Sequence, residues 1–235
     1  MLKAVLFDFN GIIINDEPIH AELVSEILLG ENLRVSPKDY QEACLGRSDR
    51  ACFSQLLAAR GRFLNDSALG QLIDRKARAY RQHLDTLETL PIYPVEEVLI
   101  SLQQKKIAIA LVTGALRSEV ETILERAGLA AYFSIIVAGD EIISSKPDPY
   151  GYLLAVERLG RTFPALSLTP ENCLAIEDTF AGIEAAKNAG IQVVGVANTY
   201  PFHMLQRCCN WTVDCLADLE LDRVQTVFSQ NAIAR

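Results

Sequence analysis

The stretch LKAVLFDFNG, residues 2–11, decides how the rest of the chain is read. Apart from Lys3 its first six residues are apolar, without the strict alternation of a half-exposed strand. They read as a strand covered on both faces. That strand delivers a carboxylate, Asp8, at its carboxyl end, and Asn10-Gly11 turns the chain away. Apolar runs of the same kind recur at residues 107–113, 135–138, 173–176 and 192–197. Between them, residues 95–105, 118–127, 149–159 and 179–188 carry apolar side chains three or four apart, the spacing of an amphipathic helix. Gly128 and Gly190 follow two of these segments at positions suited to helix C-caps. Strands alternating with helices predict a doubly wound, parallel α/β sheet.

One region breaks the alternation. Between Asp16 and Glu88 no strand-like run occurs. Ile19, Leu23, Val24, Ile27 and Leu28 make one helical face that Gly30 is expected to close. Residues 52–60 and 67–84 follow in the same manner. A helical block of this length after the first strand predicts an inserted α-helical cap domain over residues 16–88. Residues 1–15 and 89–235 would then form the α/β core, with hinges at residues 15–16 and 89–94. The aromatic segment around Trp211 is expected to pack a last short strand.

Composition narrows the function. The formal net charge of −8 in 235 residues leaves no basic stripe to bind nucleic acid. No apolar run approaches the roughly 20 residues needed to cross a bilayer. The six cysteines show no C-x-x-C pair and no zinc spacing, and Cys208 and Cys209 are adjacent. Free thiols are therefore expected. The first residues lack the apolar region and cleavage site of a secretory signal, so a cytoplasmic protein is expected.

Open α/β sheets bind ligands beyond the carboxyl ends of their strands, so the residues placed there matter most. The first strand carries Asp8 and Asn10-Gly11, and the second carries Thr113-Gly114. Lys146 follows the third, and the fourth carries Glu177-Asp178. Each alone is ordinary turn chemistry. All four, in this order on successive α/β units, are hard to explain as turns.

With these four motifs the sequence resembles the haloacid dehalogenase superfamily of phosphohydrolases, in the branch with a helical cap inserted after the first strand. FDFNGIIINDEPIH, residues 7–20, is most similar to the β-phosphoglucomutase and phosphoglycolate phosphatase relatives. The resemblance implies a nucleophile at Asp8 that forms an aspartyl phosphate, and phosphate binding by Thr113 and Gly114. It implies that Lys146 neutralises developing charge. It also implies that Mg²⁺ is held by Asp8, Glu177, Asp178 and the backbone carbonyl of Asn10. The electrostatics agree, because an anionic carboxylate approaches a doubly negative phosphate ester only if cations cancel the repulsion. In the cap, His20, Arg47 and Lys76 match positions that contact a small phosphorylated metabolite in the family.

The sequence departs from the family at Asn10. There the family carries an acid that protonates the leaving oxygen and later deprotonates the attacking water, work typically worth ~10²–10⁴-fold in rate. An amide does neither. Four outcomes stay open on the sequence: a slow phosphatase, a phosphatase for good leaving groups, a non-catalytic phosphate-binding or sensor protein, and a phosphomutase. Asp16 is the nearest spare acid. The substrate and the oligomeric state are not readable.

Overall fold

The computed structural model describes residues 1–233. The chain starts with β1 (Ala4–Phe7) and then runs through four consecutive helices: α1 (Glu17–Gly30), α2 (Pro37–Ala43), α3 (Asp49–Ala58) and α4 (Asp66–Thr86). It returns through α5 (Glu96–Gln104) to β2 (Ala108–Val112), α6 (Arg117–Arg126), β3 (Ile135–Val137) and α7 (Tyr150–Thr162). The remainder is β4 (Cys173–Glu177), α8 (Phe180–Asn188), β5 (Gln192–Val196), α9 (Phe202–Leu205), β6 (Trp211–Val213) and α10 (Leu221–Ile233). All strand pairs are parallel, in the order β3-β2-β1-β4-β5-β6.

β1 is buried on both faces because its side chains alternate between two cores. Val5 and Phe7 enter one apolar cluster, and Ala4 and Leu6 enter another. Chain order reverses direction between β1 and β4, which is where such sheets place a ligand. Phe7 pairs with Leu111 on one side and Ile176 on the other. Asp8, Thr113 and Asp178 therefore leave the sheet on one edge.

The inserted helices have a core of their own, built from Val24, Ile27, Leu28, Phe53, Leu56, Leu57, Leu69 and Leu72 among others. The second half of α4 departs from it, and Tyr80 and Leu84 pack with the core cluster instead. The two linkers run side by side. Ile14 bridges Ile92, Asn15 N–H donates to Pro91 C=O at 2.8 Å, and Tyr93 N–H donates to Ile13 C=O at 2.9 Å.

Several sequence expectations are met and several are corrected. Gly128 (φ 71°) and Gly190 (φ 80°) take left-handed C-cap conformations, and the strand at Trp211 is present, its ring stacked on Phe228 at 6.0 Å. α1 ends at Gly30, but the left-handed residue is Asn32 (φ 59°). Leu33 N–H then reaches back to Leu28 C=O at 2.8 Å, a Schellman closure in which Asn takes the usual glycine place. α2 is not anticipated, although Ser36, Pro37 and Asp39 form a complete capping box with proline in the first turn. The expectation of free thiols fails at one pair: Cys44 and Cys52 are joined by a disulfide. Leu45-Gly46-Arg47-Ser48 turns tightly enough between α2 and α3 to bring their Cα atoms to 4.4 Å. Closing a loop this short restrains the unfolded chain by about 2–3 kcal/mol. The bridge also removes the free-thiol argument for a reducing compartment. Among the described residues no helix is long and apolar enough to cross a membrane.

Candidate active site

Asp8 continues the β1 ladder, its N–H donating to Ile176 C=O at 2.9 Å, and its carboxylate is buried. Lys146 Nζ donates to Asp8 Oδ1 at 2.7 Å and to Glu177 Oε1 at 2.6 Å. The same Glu177 oxygen accepts from the Tyr152 hydroxyl at 2.6 Å. Gly182, at the start of α8, lies so close to Glu177 that a Cβ there would meet Oε2 at 2.0 Å. Glu177 is thus fixed by Lys146, Tyr152 and the helix start. Asp178 is less satisfied. Thr199 donates to Oδ2, and Oδ1 is buried without a partner. Gly11 (φ 78°) makes room for it, since a Cβ would stand 1.9 Å from Oδ2.

Three buried carboxylates around one ammonium leave an excess of negative charge. Burial and then Glu177 push the Asp8 carboxyl up to about 7, against the pull of Lys146. Burial, Asp8 and Glu177 push Asp178 well above the carboxylate range. Burial opposes the Lys146 charge, but Asp8 and Glu177 more than reverse this and hold its pKa above the ordinary value. One oxygen from each of Asp8, Glu177 and Asp178 lies within 4.8 Å of the others. An all-oxygen, anionic set with an orphaned Asp178 oxygen fits a hard divalent cation.

Thr113 leaves β2 buried, its hydroxyl accepting from Ala115 N–H at 3.0 Å and facing Asn10 Oδ1 at 3.5 Å. Gly114 is where the cap touches down. A Cβ there would meet the Arg47 carbonyl at 2.7 Å, and one at Gly46 would meet Thr179 Oγ1 at 2.3 Å. Ser48 N–H donates to Ser145 Oγ at 2.8 Å, beside Lys146. The disulfide-closed turn therefore lies across the strand ends. Only a cavity of about 40 Å³ is left beneath it, lined by Asp8, Asn10, His20, Lys76, Gly114 and Thr179 among others.

A second buried cluster adjoins the first. Asp16 is wholly buried. It accepts from Asn10 Nδ2 at 3.0 and 3.1 Å, from the Tyr80 hydroxyl, and lies 3.1 Å from His20 Nε2. His20 stacks on Tyr80 at 4.5 Å. Burial acts to raise the Asp16 pKa, but His20, Tyr80 and Asn10 hold it below the usual value. Burial and Lys76 oppose charge on His20, and Asp16 overcomes both, so its pKa is raised. Lys76, which as a helix-face lysine could have been solvated, is buried and paired with Asp49 Oδ1 at 2.8 Å. Arg47 directs its guanidinium to Gln55 Oε1 at 2.5 Å.

The structure thus gathers Asp8, Asn10, Thr113, Gly114, Lys146, Glu177 and Asp178 at one sheet edge and brings His20, Arg47 and Lys76 over it. Sequence reasoning missed Asp49, Glu119, Tyr152 and Thr199. Asp49 and Glu119 carried a signal as acids in the first turns of α3 and α6. Tyr152 and Thr199 carried none.

A doubly wound parallel sheet with a helical cap inserted after its first strand, and charged groups at its strand ends, defines a capped Rossmann-like class of α/β protein. The chain belongs to the haloacid dehalogenase-like hydrolases, whose family model matches residues 5–196. It is 31% identical over 201 residues to a phosphorylated carbohydrates phosphatase of Thermotoga maritima, covering 84% of this chain and 87% of the relative. It is 26% identical to a phosphoglycolate phosphatase of Pectobacterium atrosepticum, covering 86% of this chain and 82% of that one. Its fold matches β-phosphoglucomutase from Clostridium difficile with a TM-score of 0.84 over 99% of this chain and 100% of that one, at 22% identity. Both of these curated relatives are phosphatases by name.

Proposed function

We propose that this chain is a Mg²⁺-dependent phosphatase of a small phosphorylated metabolite, slow on poor leaving groups. The carrying observation is the buried Asp8–Lys146–Glu177–Asp178 cluster, with more carboxylates than cations and an unpartnered Asp178 oxygen. Asp8, Asp178 and the Asn10 carbonyl would hold the ion, which when bound supplies positive charge beside the phosphate. Glu177, already committed to Lys146 and Tyr152, acts by positioning the ammonium. Thr113, the amides after it and the start of α8 receive the phosphoryl oxygens. An Asp8 oxygen bonds to phosphorus as the ester P–O bond breaks, and the electron pair leaves with the alkoxide, which takes a proton. Water then attacks the phosphorus of the aspartyl phosphate. The bond between the Asp8 oxygen and phosphorus breaks, restoring the carboxylate and giving inorganic phosphate.

With Asn10 in place no acid at this position assists either proton transfer. The cavity beneath the cap is small, about 40 Å³. Residues 16–88 would swing on the paired linkers to widen it for substrate, as lids do. A second reading, a phosphate-binding protein without turnover, draws support from the Asn10 amide being pinned on Asp16.

Quenched protein incubated with acetyl phosphate and Mg²⁺ should show a phosphoryl mass increase, and p-nitrophenyl phosphate should be hydrolysed. Asp8→Asn should abolish both while leaving the circular dichroism spectrum unchanged. If the variant turns over p-nitrophenyl phosphate as the parent does, the nucleophile is elsewhere. Phosphate binding with neither turnover nor adduct selects the second reading.

A further inference from the structure

The cap half of the cavity contains cations, but its charges are already spent on one another. Lys76 Nζ sits 2.8 and 2.9 Å from the two oxygens of Asp49, and His20 Nε2 sits 3.1 Å from Asp16. Two further carboxylates face this group. Glu17 accepts from the Tyr40 hydroxyl at 2.5 Å, and Glu119, from the start of α6, lies close enough to Lys76 and His20 to feel both charges. Three cationic side chains, His20, Arg47 and Lys76, thus face four carboxylates. Burial raises the proton affinity of Glu17 and Glu119. Counting both as neutral still leaves Lys76 and His20 cancelled by Asp49 and Asp16, and Arg47 is turned to Gln55 and partly open to solvent, where its charge is screened.

The same region holds buried polar atoms that want a partner. Glu119 Oε1 and His20 Nδ1 have none. Leaving such buried groups unpaired is costly, because they have lost water without gaining a partner. A hydroxyl, which both donates and accepts, satisfies a carboxylate oxygen and an imidazole nitrogen alike. A second anion cannot satisfy the Glu119 oxygen, finds Lys76 and His20 already paired, and meets Asp49 across Lys76.

We propose that the leaving group accepted by this site is an uncharged, hydroxyl-rich one, a polyol or sugar, and that Asp49 excludes metabolites carrying a carboxylate or second phosphate by neutralising Lys76. The proposal rests on the phosphate-site reading above and names the substrate class for that site. Asp49 is a specificity-determining residue, since removing its charge frees a buried ammonium for an anionic substrate.

Matched phosphates isolate the effect. Sorbitol 6-phosphate and 6-phosphogluconate differ by one CH₂OH-to-carboxylate change, as do glycerol 3-phosphate and 3-phosphoglycerate. Binding is measured by calorimetry with Mg²⁺ on Asp8→Asn protein, which leaves the esters intact. The neutral member of each pair should bind at least ~10-fold more tightly, the equivalent of one unfavourable charge contact. Adding Asp49→Asn should shrink or invert that ratio by strengthening the carboxylated member. Equal or tighter binding of the carboxylated members to Asp8→Asn protein overturns the proposal, whatever Asp49→Asn does. Failure of all four to bind overturns it too. Turnover is read separately on the parent with p-nitrophenyl phosphate. An inactive parent whose binding ratio holds defeats the phosphatase reading and leaves the selectivity standing. An active parent that prefers the carboxylated esters does the reverse.

Discussion

The molecule buries two clusters of charge side by side, and they are built on opposite terms. At the strand ends, Asp8 and Glu177 share one ammonium, and beside them an Asp178 oxygen is left without a partner. At the cap entrance, Asp16 is surrounded by Asn10, His20 and Tyr80, with donors on both of its oxygens. Burial penalises Asp8, Asp178 and Asp16 alike. It wins at Asp8 and Asp178, whose proton affinities rise, and loses at Asp16, whose affinity falls. A carboxylate with its donors supplied is structure. A set of carboxylates short of cations is a site awaiting one.

The largest effect should come from exchanging chemistry between the clusters. Asn10→Asp alone would set a carboxylate against Asp16 at the 3.0 Å now spanned by an amide donor. Paired with Asp16→Asn it restores one acid and one amide with places reversed. The double variant should raise phosphate release from a sugar phosphate by ~10²-fold or more, and from acetyl phosphate much less, because that leaving group needs no proton. Continued inertness toward sugar phosphates with metal bound would end the view that Asn10 limits the rate.

Removing one acid from each cluster should separate them by sign. Asp16→Ala strands His20, Tyr80 and the Asn10 amide, and should lower stability in urea by about 3 kcal/mol. Asp178→Asn relieves repulsion instead. Metal-free stability should hold or rise, while the Mg²⁺-induced increase in Tm disappears. Equal destabilisation by both variants would erase the contrast.

The smallest effect is a trend with pH. Asp8 rises from 3.8 to about 7 on folding, so the metal-free folded state holds its proton more tightly than the unfolded chain. Its contribution to stability is complete below about pH 4 and is lost as pH rises through about 7. Mg²⁺ binds the ionised form, so its stabilisation should grow over the same window. The Tm gain should be a few degrees larger at about pH 8 than at about pH 5.5. A gain that falls with pH would place the ion on other ligands.

The sheet was legible because parallel strands buried on both faces must be apolar throughout, and LKAVLF could be little else. The strand-end residues were legible because a parallel sheet puts every carboxyl end on one edge, so order along the chain became proximity in space. Gly30 ends α1 as the pattern indicates, but the left-handed closure falls to Asn32 two residues on. The thiols misled: pairing Cys44 with Cys52 depends on how sharply the turn at Gly46 brings α2 and α3 together.

Charge balance was decided only by the tertiary structure. Asp16 and Asn10 are six residues apart, and Asp49 and Lys76 are 27 apart. No periodicity connects such positions. By itself the sequence determined which groups stand on the sheet edge, because backbone geometry dictates that. Which of them are satisfied and which are left in need of a cation or a hydroxyl depends on side chains distant in the chain that meet only in the folded molecule. In a buried site such partners, far more than residue type, set the electrostatic energy.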